Sequence, residues 1–511
     1  MSEKPAPSGR FLTKWFVGNT LLAGLFALLW LLFRSGTKPS RLAYPCQQAA
    51  ATTASLAFGA PLVGALIAAR SLAGRLIRNP RVLAAAAIGL FVTIGLWGFL
   101  SRSSASSTYG LLPPAGYRAD VYHVTDCPPD PVGDRFPGLD SLLSLMAENG
   151  LKIYRSETDS ALAGPDGIIA SDDVVVIKIN YQWSGRGGTN TDVLRGLIRA
   201  LVDHPDGFSG EVVVGENTQF APSYNFDRDN NNAGDRSLSP LDAAVGFQDQ
   251  GFRVGVRDWT SSRGIETEEG VSCDQGRGYV VVDSADGRIS YPKFQTLYGT
   301  CVSLKHGVWD SDRGAWDRSR LKVINLPVLK PHGAVYGVTA CVKNYMGVVT
   351  TELNTNSHSG VRGGLMGAVM GEIGPPDLNI LDCIWICGDP TQGPAAGRTE
   401  RFDQLVASTD PVAADIWATT NILVPAFEAN GWSAPFPRPD ADPENPESMF
   451  RTYLDRSMEK LLARGYSVTN DLDSIDVYTM SAALRRPAPR RPGERVGNDR
   501  GDINDLLSRR P

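Results

Sequence analysis

Seven cysteines are spread over 511 residues without a single CxxC pair, histidine occurs only five times, and positive charge is in no excess. Each shortage removes a class of protein. With Cys46, Cys127, Cys273, Cys301, Cys341, Cys383 and Cys387 scattered, neither a zinc ribbon nor a ferredoxin-type iron-sulfur cluster has its ligand spacing. A formal net charge of −5 gives no basic footprint for nucleic acid. Arg485, Arg486, Arg490 and Arg491 stand among prolines and read as a flexible tail over 484–511.

Long apolar runs, by contrast, crowd into the first hundred residues. Residues 16–33 and 82–100 are each long enough to cross ~30 Å of hydrocarbon, and 52–69 is a third candidate, richer in the small residues that suit helix-to-helix contact. The run to Phe33 exceeds a signal-peptide core, and Arg34-Ser35-Gly36-Thr37 lacks a small-x-small site. Residues 1–101 are therefore expected to be a retained anchor in a lipid bilayer. With three spans, Lys4, Arg10, Lys14 and the loop carrying Arg70, Arg75, Arg78 and Arg81 share one side, opposite Arg34, Lys38 and Arg41. The positive-inside rule then puts the following globule outside, external or periplasmic. Two spans would leave it cytoplasmic.

Residues 102–483 can bury a sizeable core. Strand patterns at 122–125, 151–154, 174–179, 212–214, 252–256, 321–325, 380–386, 404–407 and 477–480 are interleaved with helical patterns at 139–148, 192–202, 241–248, 412–422 and 447–463. Residues 278–291 look like irregular β structure around Asp286-Gly287. The run at 174–179 is continuously apolar, as in a strand covered on both faces. This alternation predicts an α/β domain with a mostly parallel or mixed sheet and helices on both faces, its chemistry at the carboxyl ends of the strands. If the globule is external, its six cysteines could pair as disulfides. Cys383 and Cys387 read most simply as small core residues.

Polar residues punctuate the strand ends. Lys178 and Asn180 close an apolar run, where a lysine must reach solvent or meet an anion. The loop after them, with Gly187 and Gly188, leads into a helix that Asn190 or Thr191 can cap and could cradle an anion. It matches neither the GxGxxG nor the GxxxxGK[ST] nucleotide fingerprint. A denser group follows at 325–358: Asn325, Lys330, His332, Lys343, Asn344 and His358, suited to a negatively charged ligand or to proton transfer. Singly each lysine is a surface charge and each histidine an ordinary loop residue, and Lys330 and His332 are expected on an exposed loop. Asp389 follows a buried strand. Asp410-Pro411 has the form of an N-cap with proline at N1. Asp415, one turn further, could join His332 or His358 in a divalent-metal site. Asp227 to Asp235 alternates acidic and amide oxygens as calcium loops do, but Asn232 stands where the turn glycine belongs, so a polar loop is expected.

Val176-Ile177-Lys178-Ile179-Asn180, Asn325-Leu326-Pro327-Val328-Leu329-Lys330-Pro331-His332, Lys343-Asn344-Tyr345-Met346-Gly347, His358 and Ser408-Thr409-Asp410-Pro411-Val412-Ala413-Ala414-Asp415 closely resemble, in this order, the family catalogued as domain of unknown function 362. The resemblance spans roughly residues 174–422. It implies no settled activity. Many relatives look like iron-sulfur proteins through an added cysteine-rich segment, which this sequence lacks, so that role does not carry over. The stretch 224–269 reads as an insertion outside the family core.

The expectation is a membrane-tethered enzyme acting on a small anionic substrate, a carboxylate or phosphate. Lys178, Lys330 and Lys343 would supply positive charge, His332 or His358 the acid or base, and Asn180, Gly187, Gly188, Asn325, Asn344 and Asp389 ligand contacts. The alternative is a non-catalytic module that captures a ligand or cofactor at the cell envelope.

Overall fold

The uninterrupted valines of residues 174–177 become the middle of a sheet. In the computed structural model the described residues are Ala27 and 113–485, apart from 181–183, 218–228, 274–275, 285–286, 354–356, 392, 394–397 and 437–440. The strands run β1 (Ala119–Thr125), β2 (Tyr154–Arg155), β3 (Ala163–Gly164), β4 (Val174–Lys178), β5 (Glu211–Glu216), β6 (Val254–Asp258), β7 (Gly278–Ser284), β8 (Gly287–Gln295) and β9 (Cys301–Ser303). They continue with β10 (Gly307–Asp310), β11 (Ala315–Asp317), β12 (Leu321–Asn325), β13 (Lys330–Pro331), β14 (Val338–Thr339), β15 (Leu378–Cys387), β16 (Thr399–Ser408) and β17 (Ile475–Ser481).

Eight of these form one mixed sheet in the order β17-β1-β16-β15-β12-β4-β5-β6. Only β16 runs antiparallel to its neighbours, β1 and β15; the other pairings are parallel. Side chains of β4 alternate between two cores. Val174 and Val176 pack with the helices Leu365–Ile373, Pro411–Ala418 and Met449–Ala463, while Val175 and Ile177 pack with Pro137–Glu148, Thr191–Val202 and Pro240–Gln248. Burial on both faces explains why the strand shows no polar alternation.

Register matters for the site. Lys178 lies level with Asn325 of β12 and Gly215 of β5, so Lys178, Glu216 and Asn325 leave the sheet at one edge. Asn190 caps the next helix, accepting from Asp192 N at 2.9 Å and Val193 N at 3.2 Å.

Several expectations change in detail. Residues 404–407 are the end of a ten-residue antiparallel strand, and the pattern at 412–422 is an α-helix, Pro411–Ala418, followed by a π turn, Thr419–Leu423. The stretch 224–269 is no mere insertion, because it supplies β6, which pairs with β5. The irregular β region forms two strands, β7 and β8, of a five-stranded antiparallel sheet, β11-β10-β9-β8-β7. Cys273 and Cys301 are joined in a disulfide, while Cys127, Cys341, Cys383 and Cys387 are free and buried. The spans expected at 16–33, 52–69 and 82–100 lie outside the described residues except for helical Ala27. Among the described residues no helix is long and apolar enough to cross a membrane.

Candidate functional site

Three lysines that sequence places at separate strand ends and loops converge at the carboxyl edge of β4, β5 and β12. Lys178, the last residue of β4, is buried and ion-paired with Glu216, the last of β5, and its Nζ also donates to Ile179 O at 2.6 Å. Burial pulls the lysine down and the carboxyl up, and their mutual attraction works against both shifts. Gly347 lies over this pair; a Cβ there would meet Lys178 Nζ at 2.7 Å and the Glu216 carboxylate more closely still. Glycine is needed at 347 for that close approach.

Lys330 extends from the short β13. Its Nζ donates to Asn180 Oδ1 at 3.1 Å and to Gly187 O of the Gly-rich loop. An amide chain continues across the sheet edge. Asn180 Nδ2 donates to Asn344 Oδ1 at 3.0 Å, Asn344 Nδ2 to Asn325 Oδ1 at 2.8 Å, Asn325 Nδ2 to Asn379 Oδ1 at 2.9 Å, and Asn379 Nδ2 to Ser408 O at 3.1 Å. Every asparagine in it is buried. Such a network holds its members in one arrangement, since any break leaves an unsatisfied polar group in the core.

Lys343 is different. It sits in the helical turn Cys341–Asn344 and is 4% exposed. Among the described residues its ammonium has no hydrogen-bond or carboxylate partner and lies 4.6 Å from the centre of the Tyr336 ring. Burial lowers it to about 7. Lys330 is also lowered to about 7, by burial first and then by the charges of Lys343 and Lys178, with Glu216 opposing.

Two imidazoles complete the cluster. His332 packs edge-on to Tyr336 at 4.9 Å between centroids, and the Tyr336 ring lies 6.0 Å from His358. His332 Nδ1 is 2.6 Å from Thr339 Oγ1. Burial and then the charges of Lys343, Lys330 and His358 push His332 well below the usual histidine range, and burial with Lys343 lowers His358 to about 4. Both rings are neutral at pH 7. Lys330 is thus no exposed loop residue but a core one, at 1% exposure.

The remaining predicted residues fall outside this group or support it from behind. Gly187 joins it through its carbonyl, while Gly188 N donates to Asn230 O at 2.6 Å, tying the loop to the 229–235 segment. Asp229 accepts from Gly185 N at 2.8 Å and pairs with Arg236 at 2.9 Å, which gives that acidic stretch a bracing role; Asp227 lies outside the described residues. Asp389 accepts from Thr391 N at 2.9 Å in a local turn. Asp410 is the N-cap expected, accepting from Val412 N and Ala413 N. Asp415 is fully buried and accepts Cys341 N at 2.6 Å and Val342 N at 3.0 Å, so it anchors the turn that carries Lys343. Among the described residues no set of three or more His, Cys, Asp or Glu side chains is arranged to hold a metal.

Glu216, Tyr336 and Thr339 were missed in the sequence. Glu216 ends an apolar strand just as Lys178 does, so the same signal was available for it. Tyr336 and Thr339 carry none, because their roles depend on the β13–β14 hairpin folding back.

Residues 321–420 match the family model described as Domain of unknown function (DUF362). The match identifies a DUF362 segment within the chain. No curated protein and no solved structure matches the chain. The DUF362 stretch holds Lys330, His332, Lys343 and His358, whereas Lys178, Asn180 and Glu216 come from β4, the loop after it and β5, all before that stretch. The cluster is completed by chain outside the matched segment.

Proposed function

We propose that this protein is an enzyme acting on a small carboxylate or phosphate taken up by the Lys330–Lys343–His332 cluster. The observation that carries the reading is Lys343, a buried cation with no counter-ion among the described residues. Leaving a charge in that state costs several kcal/mol, which an anionic ligand would recover. In this reading Lys343 binds the anion and Lys330, fixed by Asn180 and Gly187, adds a second positive field. Neutral His332 is placed to exchange a proton or hydrogen bond with the reacting group. The Lys178–Glu216 pair is already neutralised and serves as the floor.

A thermal-shift screen of the full-length protein against phosphate, sulfate and malonate tests the reading. At least one should raise the melting temperature saturably, and Lys343→Met should erase the shift. No stabilisation by any of the three would remove the basis of the proposal.

The Cys273–Cys301 bond favours an oxidising compartment for the globule, in keeping with a bilayer anchor of three spans and an external domain. A membrane-impermeant protease added to intact cells should then cleave the globular part. Protection until lysis would place it in the cytoplasm instead.

A further inference from the structure

A second cleft lies at the other end of β4 and β5 from the lysine cluster. It has a volume of about 360 Å³ and is walled by Asp172, Glu211, Arg253, Tyr298, Trp309 and Arg320, with the Cys273–Cys301 disulfide alongside. That volume lies in the range of small-molecule sites, roughly 300–1,000 Å³. Val174 and Glu211 are the first residues of their strands, where Lys178 and Glu216 are the last. The two sites are therefore separate.

The charges of the cleft cancel locally. Arg253 is paired with Glu211 Oε1, which also accepts from Thr300 Oγ1. Arg320 Nε lies 3.8 Å from Asp172 Oδ2, and its Nη2 donates to Asp172 O at 3.2 Å. One acceptor and one donor are left over: Glu211 Oε2 and Arg320 Nε are buried and, among the described residues, without a hydrogen-bond partner. An ammonium brought to Glu211 would meet Arg253, and a carboxylate brought to Arg320 would meet Asp172. The complement that avoids both repulsions is an uncharged group that donates and accepts, namely a hydroxyl. Aromatic walls add a surface for C–H groups. Trp309 is held edge-on against Trp316 at 5.2 Å, and Tyr298 is pinned by its hydroxyl to Val254 O at 3.2 Å while staying 38% exposed. Rigid rings beside fixed planar polar groups suit a ligand with one apolar and one hydroxylated face.

We propose that this cleft binds a sugar ring, with Trp309 and Tyr298 against its C–H face and Glu211 and Arg320 on its hydroxyls. The test is titration of the full-length protein with maltose, cellobiose and N,N′-diacetylchitobiose, read by saturation-transfer NMR and calorimetry. At least one should bind saturably and lose tenfold or more in affinity in Trp309→Ala and in Glu211→Gln, with Lys343→Met without effect. Should Trp309→Ala fail to fold, Tyr298→Ala at the exposed wall makes the same measurement. Saturation by none of the three sugars would overturn the proposal, as would binding indifferent to both aromatic substitutions or stronger binding of the zwitterion glycine.

Discussion

Lys343 is where the energetics of the cluster are most exposed to test. Replacing it with Met removes a buried charge but forfeits its contact with the Tyr336 ring, worth about 0.5–2 kcal/mol. The desolvation term is larger, so Lys343→Met should stabilise the ligand-free protein at pH 6 by about 1–3 kcal/mol. Urea denaturation would show it, and a loss of stability would mean the ammonium has an internal partner. The pH dependence has a definite sign. A lysine held at about 7 in the folded state against an ordinary value of 10.5 binds its proton more weakly folded than unfolded. Its cost is fully present below pH 7 and is relieved as pH rises from 7 towards 10.5, so stability should increase across that window. Lys330 contributes in the same direction. The Met variant should therefore show a shallower rise, by at most about 1.4 kcal/mol per pH unit; an unchanged slope would contradict the assignment.

At the scale of single elements, the turn Cys341–Asn344 is too short to persist by itself, and Asp415 holds it by accepting two of its N–H groups. Asp415→Ala should cost about 1–3 kcal/mol and weaken anion binding, because it frees the backbone under Lys343. EDTA should leave the melting temperature unmoved. A chelator-sensitive transition restored by a divalent cation would reinstate Asp415 as a metal ligand. Sequence suggested the metal because an aspartate inside a helix had no local partner, and its true partner lies 74 residues away in the chain. Asp410, whose partners are the next two N–H groups, was legible for the opposite reason. Elements followed the same division. Runs buried on both faces, such as β4 and β5, announced themselves, while β9, β10 and β11 are three or four residues long and leave too little periodicity to read.

For the whole molecule, the sequence supported an α/β sheet and named all three converging lysines, but it could not show which of them lacks a counter-ion among the described residues. That distinction depends on Glu216, Asn180 and Gly187 arriving from separate loops and strands. The disulfide acts at this scale as well. It closes a 28-residue separation between the segment before β7 and strand β9, and a Cys273→Ser/Cys301→Ser variant should lose about 2–4 kcal/mol, seen as a lower melting temperature that reducing agent does not change further. An equal melting temperature in variant and parent would make the bond dispensable. Calorimetric titration with sulfate, whose charge is constant between pH 6 and pH 8, decides whether the buried ammonium of Lys343 awaits an anion. Saturable binding is expected at pH 6, weaker by about tenfold or more at pH 8 as Lys343 and Lys330 give up their protons, and none in Lys343→Met. Equal affinity at both pH values, retained in the Met variant, would contradict that expectation.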